Sequence, residues 1–237
     1  MATAFITGAT SGIGRAIAVA LSEAGYDVYA VGRNRPALEA LRAERPNITP
    51  VAVDVTDRDA IEAALADLRV DVLINNAGIM PPLGNFADMK VSDIDATLEI
   101  NLSAAILLTR LVLPKMRERQ SGHILFTGST AGHGSFANIA VYSAAKAAIS
   151  GFVAGLKADT SGYGVRVTEI VCGRVETGLY KDILDEKARA AMYAGNVAVQ
   201  PEDVARMVVA VLALPPNADV SRFDIVPTRP VSPSGTK

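Results

Sequence analysis

Short apolar stretches alternate with longer segments of helical periodicity along the whole chain, and this alternation restricts the fold more than any other feature. The stretches are Ala4-Phe5-Ile6, Val28-Tyr29-Ala30-Val31, Val51-Ala52-Val53, Val72-Leu73-Ile74, Ile124-Leu125-Phe126, Val165 to Val171 and Phe223-Asp224-Ile225-Val226. Because they are apolar on both faces, they suit a parallel sheet covered by helices on each side. Between them, sets such as Ala16-Ile17-Val19-Ala20-Leu21 and Ile106-Leu107-Leu111-Val112-Met116 recur at helical spacing. Alternation of this kind predicts βαβ units in a doubly wound sheet, the α/β class. Gly25, Gly122 and Gly164 each stand between a helical segment and a strand, where a left-handed stop is expected.

The 237 residues show no internal repeat and no linker, so one domain is expected, with a surface tail at about 228–237. Half of the residues are hydrophobic, which excludes a disordered chain. The formal net charge is −2 with the two signs interspersed, which argues against nucleic-acid or membrane-surface partners. No charged leader precedes the first strand, so no signal peptide is expected, and no unbroken apolar run approaches bilayer length. Cys172 is the single cysteine, which suits a reducing, cytoplasmic setting.

The first strand runs into Thr7-Gly8-Ala9-Thr10-Ser11-Gly12-Ile13-Gly14, and a helical pattern follows. Glycines at such a turn let the backbone approach a ligand, and the helix start offers unpaired N–H groups to a pyrophosphate. The second strand ends in Gly32-Arg33. An acid there would hydrogen-bond a ribose 2′-hydroxyl and repel a 2′-phosphate, whereas Arg33 is suited to grip that phosphate. Asp54 follows the third strand, either to accept from an adenine amino group or to cap a turn. Asn75-Asn76-Ala77-Gly78 follows the fourth, at the carboxyl edge where open α/β sheets bind ligands.

Tyr142 and Lys146, in Val141-Tyr142-Ser143-Ala144-Ala145-Lys146, are four residues apart and share a helix face. A phenol with a pKa near ~10 is a poor base at neutral pH, and lowering it by about three units needs about 4 kcal/mol. An ammonium about 4 Å away supplies energy on that order at an effective dielectric of ~20. The pair is therefore expected to exchange a proton with an alcohol or carbonyl oxygen. Ser129, after the fifth strand, is placed to hold the same oxygen. Asn101, polar amid apolar neighbours, is a candidate for holding a water that links Lys146 to solvent.

With these pieces the chain resembles the short-chain dehydrogenase/reductases over nearly its whole length, through TGATSGIG (Thr7–Gly14), Asp54, NNAG (Asn75–Gly78), Asn101, Ser129 and the Y-x-x-x-K pair. The resemblance implies a Rossmann-like seven-stranded parallel sheet, an NAD(P) cofactor, and a homodimer or homotetramer. It implies that Tyr142 is the acid/base, that Lys146 binds the nicotinamide ribose and lowers the phenol pKa, that Ser129 orients the substrate and that Asn101 supports a proton relay. It implies cofactor contacts from Gly8, Thr10, Ser11, Gly12, Ile13, Gly14, Asp54, Val55, Asn76, Ala77 and Gly78, and from Tyr142 and Lys146 themselves. Gly32-Arg33 looks like the NADP-preferring branch. After the sixth strand Gly173, Val175 and Thr177 match the carboxamide-holding segment, while Cys172 stands where the family usually has proline.

Arg174, beside that segment, is the candidate for pairing with an acidic group on the substrate, with solvent or Glu176 as the alternatives. His133, Phe136, Met80 and Tyr180 are further candidates for the pocket, although an exposed turn position suits His133 better. The segment at about 178–199 is expected to act as a short lid over a small hydroxy acid, polyol or ketone. No metal site is expected. The competing reading is a non-catalytic dinucleotide sensor, which has no use for a full Asn-Ser-Tyr-Lys set.

Overall fold

The computed structural model describes residues 1–134, 136–194 and 198–229. Seven parallel strands form one sheet in the order β3-β2-β1-β4-β5-β6-β7. They are β1 (Thr3–Thr7), β2 (Asp27–Gly32), β3 (Ile48–Ala52), β4 (Val72–Asn75), β5 (Gly122–Ser129), β6 (Val165–Cys172) and β7 (Arg222–Ile225). The strand order reverses between β1 and β4, which opens a crevice at their carboxyl ends.

Helices cover both faces. On one side α1 (Gly12–Glu23), α2 (Arg35–Glu44) and α8 (Pro201–Leu212) bury Ile17, Leu21, Leu38, Leu41, Val204 and Val208 against Ala4, Ile6, Val28 and Ala30. On the other, α3 (Arg58–Leu65), α5 (Ala104–Glu118) and α6 (Ala140–Thr160) bury Ile61, Leu108, Val112, Ile149 and Val153 against Phe5, Leu73, Ile124 and Phe126. Neighbouring residues of β1 thus point to opposite cores, the period-two signature of a doubly covered strand. Helices α4 (Val91–Leu98) and α7 (Glu186–Tyr193) complete the set.

Two expectations are corrected. The third strand starts at Ile48 and includes Pro50, paired with Ala30. Proline is tolerated there because β3 is an edge strand, with no neighbour needing the missing N–H. The stop after α5 falls on Gln120, at φ 52°, and not on Gly122. Gly122 instead opens β5, where a Cβ would lie 2.5 Å from the Met116 sulfur. Gly25 and Gly164 are left-handed as expected, at φ 86° and 67°.

Helices α4 and α5 also join into one 28-residue run, Val91–Glu118, with the length and apolar composition to cross a bilayer. Its inward residues Thr97, Asn101, Ala104, Leu108, Val112 and Met116 are buried in the protein. The join is a π-helical turn, Glu99–Ser103. The expected tail lies outside the described residues from position 230 onward, as do positions 195–197 of the expected lid.

Candidate active site

A cleft of about 940 Å³ lies along the carboxyl edge of the sheet and brings together most of the residues singled out in the sequence. Gly8, Thr10, Ser11, Gly12, Ile13, Arg33, Asp54 and Val55 line one end. Asn76, Ala77, Gly78, Ser129, Tyr142, Lys146, Gly173, Arg174, Val175 and Thr177 line the rest.

The glycine turn is built for a ligand that touches backbone. Gly8 has φ 66°, and a Cβ there would come within 2.9 Å of Ala77 Cα. Gly14 packs against the Gly8 carbonyl so closely that a Cβ would overlap it. Ser11, the residue preceding α1, makes no side-chain cap, and the first turn carries no acid. The helix start therefore presents unpaired N–H groups and its positive dipole end to the cleft, where a pyrophosphate is the complementary group.

Thr7, buried at the end of β1, was not singled out in the sequence. Its Oγ1 accepts from the N–H groups of Asn76 and Ala77 at 3.0 Å each and so pins β4 to the glycine turn. A buried threonine directly before a glycine turn was the available signal. Asn76 acts as a brace, donating to the carbonyls of Thr7 (3.0 Å) and Gly8 (3.4 Å) and accepting from the Thr127 hydroxyl at 3.2 Å.

At the far end of the turn Arg33 is largely exposed, its nearest carboxylate oxygen being that of Asp54 at 3.5 Å. Asp54 accepts from the N–H (3.0 Å) and hydroxyl (2.9 Å) of Thr56. Burial raises its carboxyl pKa, but the Thr56 hydrogen bonds and the Arg33 charge together outweigh burial and hold it below the usual value. Of the two sequence readings for Asp54, its contacts realise the turn-capping one.

Asn101 sits inside the π-helical turn, a common mark of a functional site within a helix. Its amide accepts from the Ile79 N–H at 2.8 Å and donates to the Ile79 carbonyl at 2.9 Å. This two-point bond fixes the loop after β4 beneath the cleft, and Gly78 is needed because a Cβ there would lie 2.8 Å from Asn101 Oδ1.

Tyr142 and Lys146 face the cleft from the first turns of α6 and are both buried. Lys146 Nζ lies 5.7 Å from the centre of the Tyr142 ring and donates to the Thr127 carbonyl at 2.7 Å. The expected lowering of the phenol pKa is not what the protein's own groups produce. Burial pushes the Tyr142 phenol above its usual value, and hydrogen bonding from Ser129 offsets only part of that rise. Burial likewise lowers the Lys146 ammonium to about 8, against the raising influence of Cys172 and Glu169. The lysine is turned toward a carbonyl, so desolvation outweighs its effect on the phenol.

Cys172 occupies the end of β6 with its thiol pushed up to about 12 by burial, so it is an inert wall of the cleft at neutral pH. Beyond it Val175 pairs with Val199, and Thr177 Oγ1 accepts from the Leu179 N–H at 3.3 Å. The expected lid begins with a 3-10 turn, Gly178–Tyr180, and continues into α7. Met80 and Tyr180 line the cleft, as does Phe136.

His133 does not line the cleft. The turn after β5 carries it behind the sheet edge, where Nε2 is 3.3 Å from Glu169 Oε1 and Nδ1 is 3.5 Å from Arg222. Arg174 does face the cleft, half-buried, and its described contact is a 3.4 Å hydrogen bond from Nη1 to the Met192 carbonyl. Glu176, the alternative partner, instead accepts from the Gln200 amide at 3.0 Å. Among the described residues no carboxylate lies within 4 Å of the Arg174 guanidinium and no cluster of metal-ligating side chains is present.

Comparison with known proteins matches residues 2–188 to the family model described as short chain dehydrogenase. An uncharacterized short-chain type dehydrogenase/reductase of Sinorhizobium fredii is 44% identical over 226 residues, 95% of this chain and 91% of that one. A sulfoacetaldehyde reductase of Chromohalobacter salexigens is 36% identical over 236 residues, 95% of this chain and 93% of its own. Among solved structures, the closed form of a serine dehydrogenase complexed with NADP+ superposes with a TM-score of 0.93 at 33% identity, covering 99% of each chain.

Proposed function

Since the chain belongs to the short-chain dehydrogenase/reductase family, we propose that it is an NADP-dependent oxidoreductase interconverting a small secondary alcohol and its carbonyl compound, with an acidic group on the substrate. One observation carries the reading: Ser129, Tyr142 and Lys146 converge on one cleft, with Asn101 braced beneath it, and the cleft continues to a glycine turn shaped for a pyrophosphate. A dinucleotide sensor would need the turn alone, so the full set favours catalysis.

The residues fit the cofactor. The α1 N-terminus and the backbone of Thr10 to Ile13 would hold the pyrophosphate. Lys146 would hold the nicotinamide ribose, and Gly173, Val175 and Thr177 would border the carboxamide. The bound nicotinamide supplies or accepts the hydride. The protein's part is to place the carbonyl oxygen between the Ser129 hydroxyl and the Tyr142 phenol and to deliver a proton to it. Burial keeps the Tyr142 phenol protonated, so it holds the proton that a carbonyl oxygen would take up, and the raised pKa is a cost that the Lys146 charge has to offset as the proton leaves. Lys146 remains cationic below about pH 8 and steadies the phenolate left behind.

Arg33 supports the choice of NADP. Its exposed guanidinium has only a 3.5 Å ion pair to loosen before meeting a 2′-phosphate. Arg33→Ala should weaken NADPH binding about 10- to 100-fold and NADH binding by less than about 3-fold, as charge-assisted phosphate contacts of about 1.5–3 kcal/mol imply. Nucleotide fluorescence titration measures both, and the chain has no tryptophan to interfere. Equal losses for the two nucleotides would remove the assignment.

Arg174 supports the acidic substrate. A half-buried guanidinium with one long bond to a carbonyl has not recovered its solvation, and an anion arriving in the cleft would supply what it lacks. The apolar wall of Met80, Leu179, Tyr180 and Ile183 leaves room beside it for a short carbon chain. The similar proteins named for sulfoacetaldehyde and serine point the same way, since sulfoacetaldehyde carries a sulfonate and serine a carboxylate. Matched pairs of short hydroxy acids or sulfonates and their neutral analogues, assayed with NADP and NADPH, test the reading. Turnover with none of them, or equal turnover within each pair, would overturn it.

An oligomer of identical chains is part of the same proposal. Between Ala144 and Ala158 the exposed positions of α6 are all Ala or Gly, and a Cβ at Gly151 or Gly155 would meet open space. Such a face admits a second helix at close range. The lone buried thiol suits a reducing, cytoplasmic setting.

A further inference from the structure

Glu169 is a carboxylate in the middle of β6 with a side chain only 5% exposed, on a strand otherwise almost wholly apolar at its buried positions. Ser150, one turn after Lys146 on α6, donates to its Oε1 at 2.6 Å, and His133 Nε2 lies 3.3 Å from the same oxygen. The Ser150 hydroxyl is itself 3.3 Å from the Lys146 carbonyl. Room for the carboxylate comes from Gly128 on β5, where a Cβ would stand 2.5 Å from Oε1. A buried acid held by one hydroxyl and one imidazole is costly unless a positive charge is near. Lys146 is the buried cation on the adjoining turn of α6, and among the described residues it has no carboxylate within 4 Å and one hydrogen bond, to Thr127.

We propose that Glu169 is a positioning residue for the oxidoreductase reaction, a buried anion tied to α6 through Ser150 that holds the Lys146 side chain in its cationic, cleft-facing form. The inference rests on the function proposed above but reaches a residue that never touches substrate. The surrounding groups are consistent with it. Facing Lys146 are Tyr142 from its own helix and Cys172 and Glu169 from β6. Both of the others are neutral at neutral pH, because burial holds each in its protonated form, so Glu169 is the one anion of the three. Facing Glu169 are His133 and, from β7, Arg222, whose charge is taken up by a two-point pair with Asp224 at 2.6 Å. With Cys172, Glu169 opposes the fall in the Lys146 pKa that burial causes, and of the two Glu169 is the carboxylate.

The test is Glu169→Gln, which keeps the shape and the Ser150 hydrogen bond while removing the charge. The sign follows from the lysine: with the anion gone, the ammonium loses its proton at lower pH. NADPH affinity, read by nucleotide fluorescence from pH 6 to 9.5, should begin to fall about one pH unit lower than in wild type. Near pH 8 the dissociation constant should be raised about 3- to 10-fold and near pH 6 be almost unchanged. Glu169→Asp, which retains the charge, should keep the wild-type midpoint. A wild-type midpoint in folded Glu169→Gln overturns the proposal. If that variant does not fold, Ser150→Ala decides instead: a smaller downward shift supports the tether, and none overturns it. Binding is read without turnover, so this outcome is independent of whether the enzyme reduces any compound in the substrate panel.

Discussion

Tyr142→Phe is expected to lower turnover by about 100- to 10,000-fold, the range that a positioned proton donor contributes. NADPH binding should stay within about 3-fold of wild type, because the phenol meets the substrate oxygen and not the phosphates. The ring is buried against Met80 and Ala131, and Phe preserves that packing. Only the hydroxyl and its interaction with the nearby Ser129 are lost, so stability should change by no more than about 1 kcal/mol. A large kinetic loss with small changes in melting temperature and nucleotide affinity therefore separates a chemical role from a structural one. Stopped-flow NADPH oxidation with the best substrate of the panel measures it. Turnover near the wild-type rate would mean that another group supplies the proton, and the proposed mechanism would fall.

The second large effect concerns Arg174. Arg174→Met keeps much of the side chain's length and apolar bulk while removing the guanidinium. For a carboxylate or sulfonate substrate, kcat/KM should drop about 100- to 1,000-fold, which corresponds to about 3–4 kcal/mol for a desolvated charge pair broken from one side. For the neutral analogue of the same substrate it should change little or rise, because the cleft no longer holds an unmatched charge. Arg174→Lys should recover part of the loss, since an ammonium restores the charge but not the planar two-point contact. Equal losses for charged and neutral substrates would show that Arg174 supports the segment between β6 and α7 through the Met192 carbonyl and does not select substrate.

The two cases differ in how far they could be read from the sequence. Spacing alone placed Tyr142 and Lys146 on one face of a helix, and the structure keeps them there. The sense of the phenol's pKa shift could not be read in that way, because it depends on how much water the fold removes. Two groups within one turn look like a simple charge effect until both are enclosed, and then burial dominates each. The strands were legible wherever apolar residues ran uninterrupted. β3 begins three residues before the stretch Val51–Val53 and ends one before its close, because it takes in Thr49 and Pro50, which fit a strand only where it lies at an edge.

His133 was legible in the sequence, whereas Glu169 was not. The exposed turn position preferred for His133 is the one it takes, just after the 3-10 turn Thr130–Gly132, where it meets Glu169 and not the cleft. Glu169 stands with Arg166 and Thr168 among the apolar residues of Val165 to Val171, and nothing in that spacing set it apart. Its burial, and its closeness to α6, follow from which face of β6 that helix covers. No local pattern carries that information, though an acid at an inward position of a doubly covered strand was a mark to follow.

The widened turn at Glu99–Ser103 has a further consequence for how this gene can change. A turn of that type holds one residue more than regular winding requires, so deleting a single codon there would leave a more regular rod. The helix on either side would keep its place, because the turn absorbs its extra residue locally, but the amide of Asn101 would leave the Ile79 backbone it now clasps from both sides. Secondary-structure content would hardly register the loss, while the floor of the cleft would be gone. At this point the polypeptide keeps its usefulness by declining the more comfortable helix.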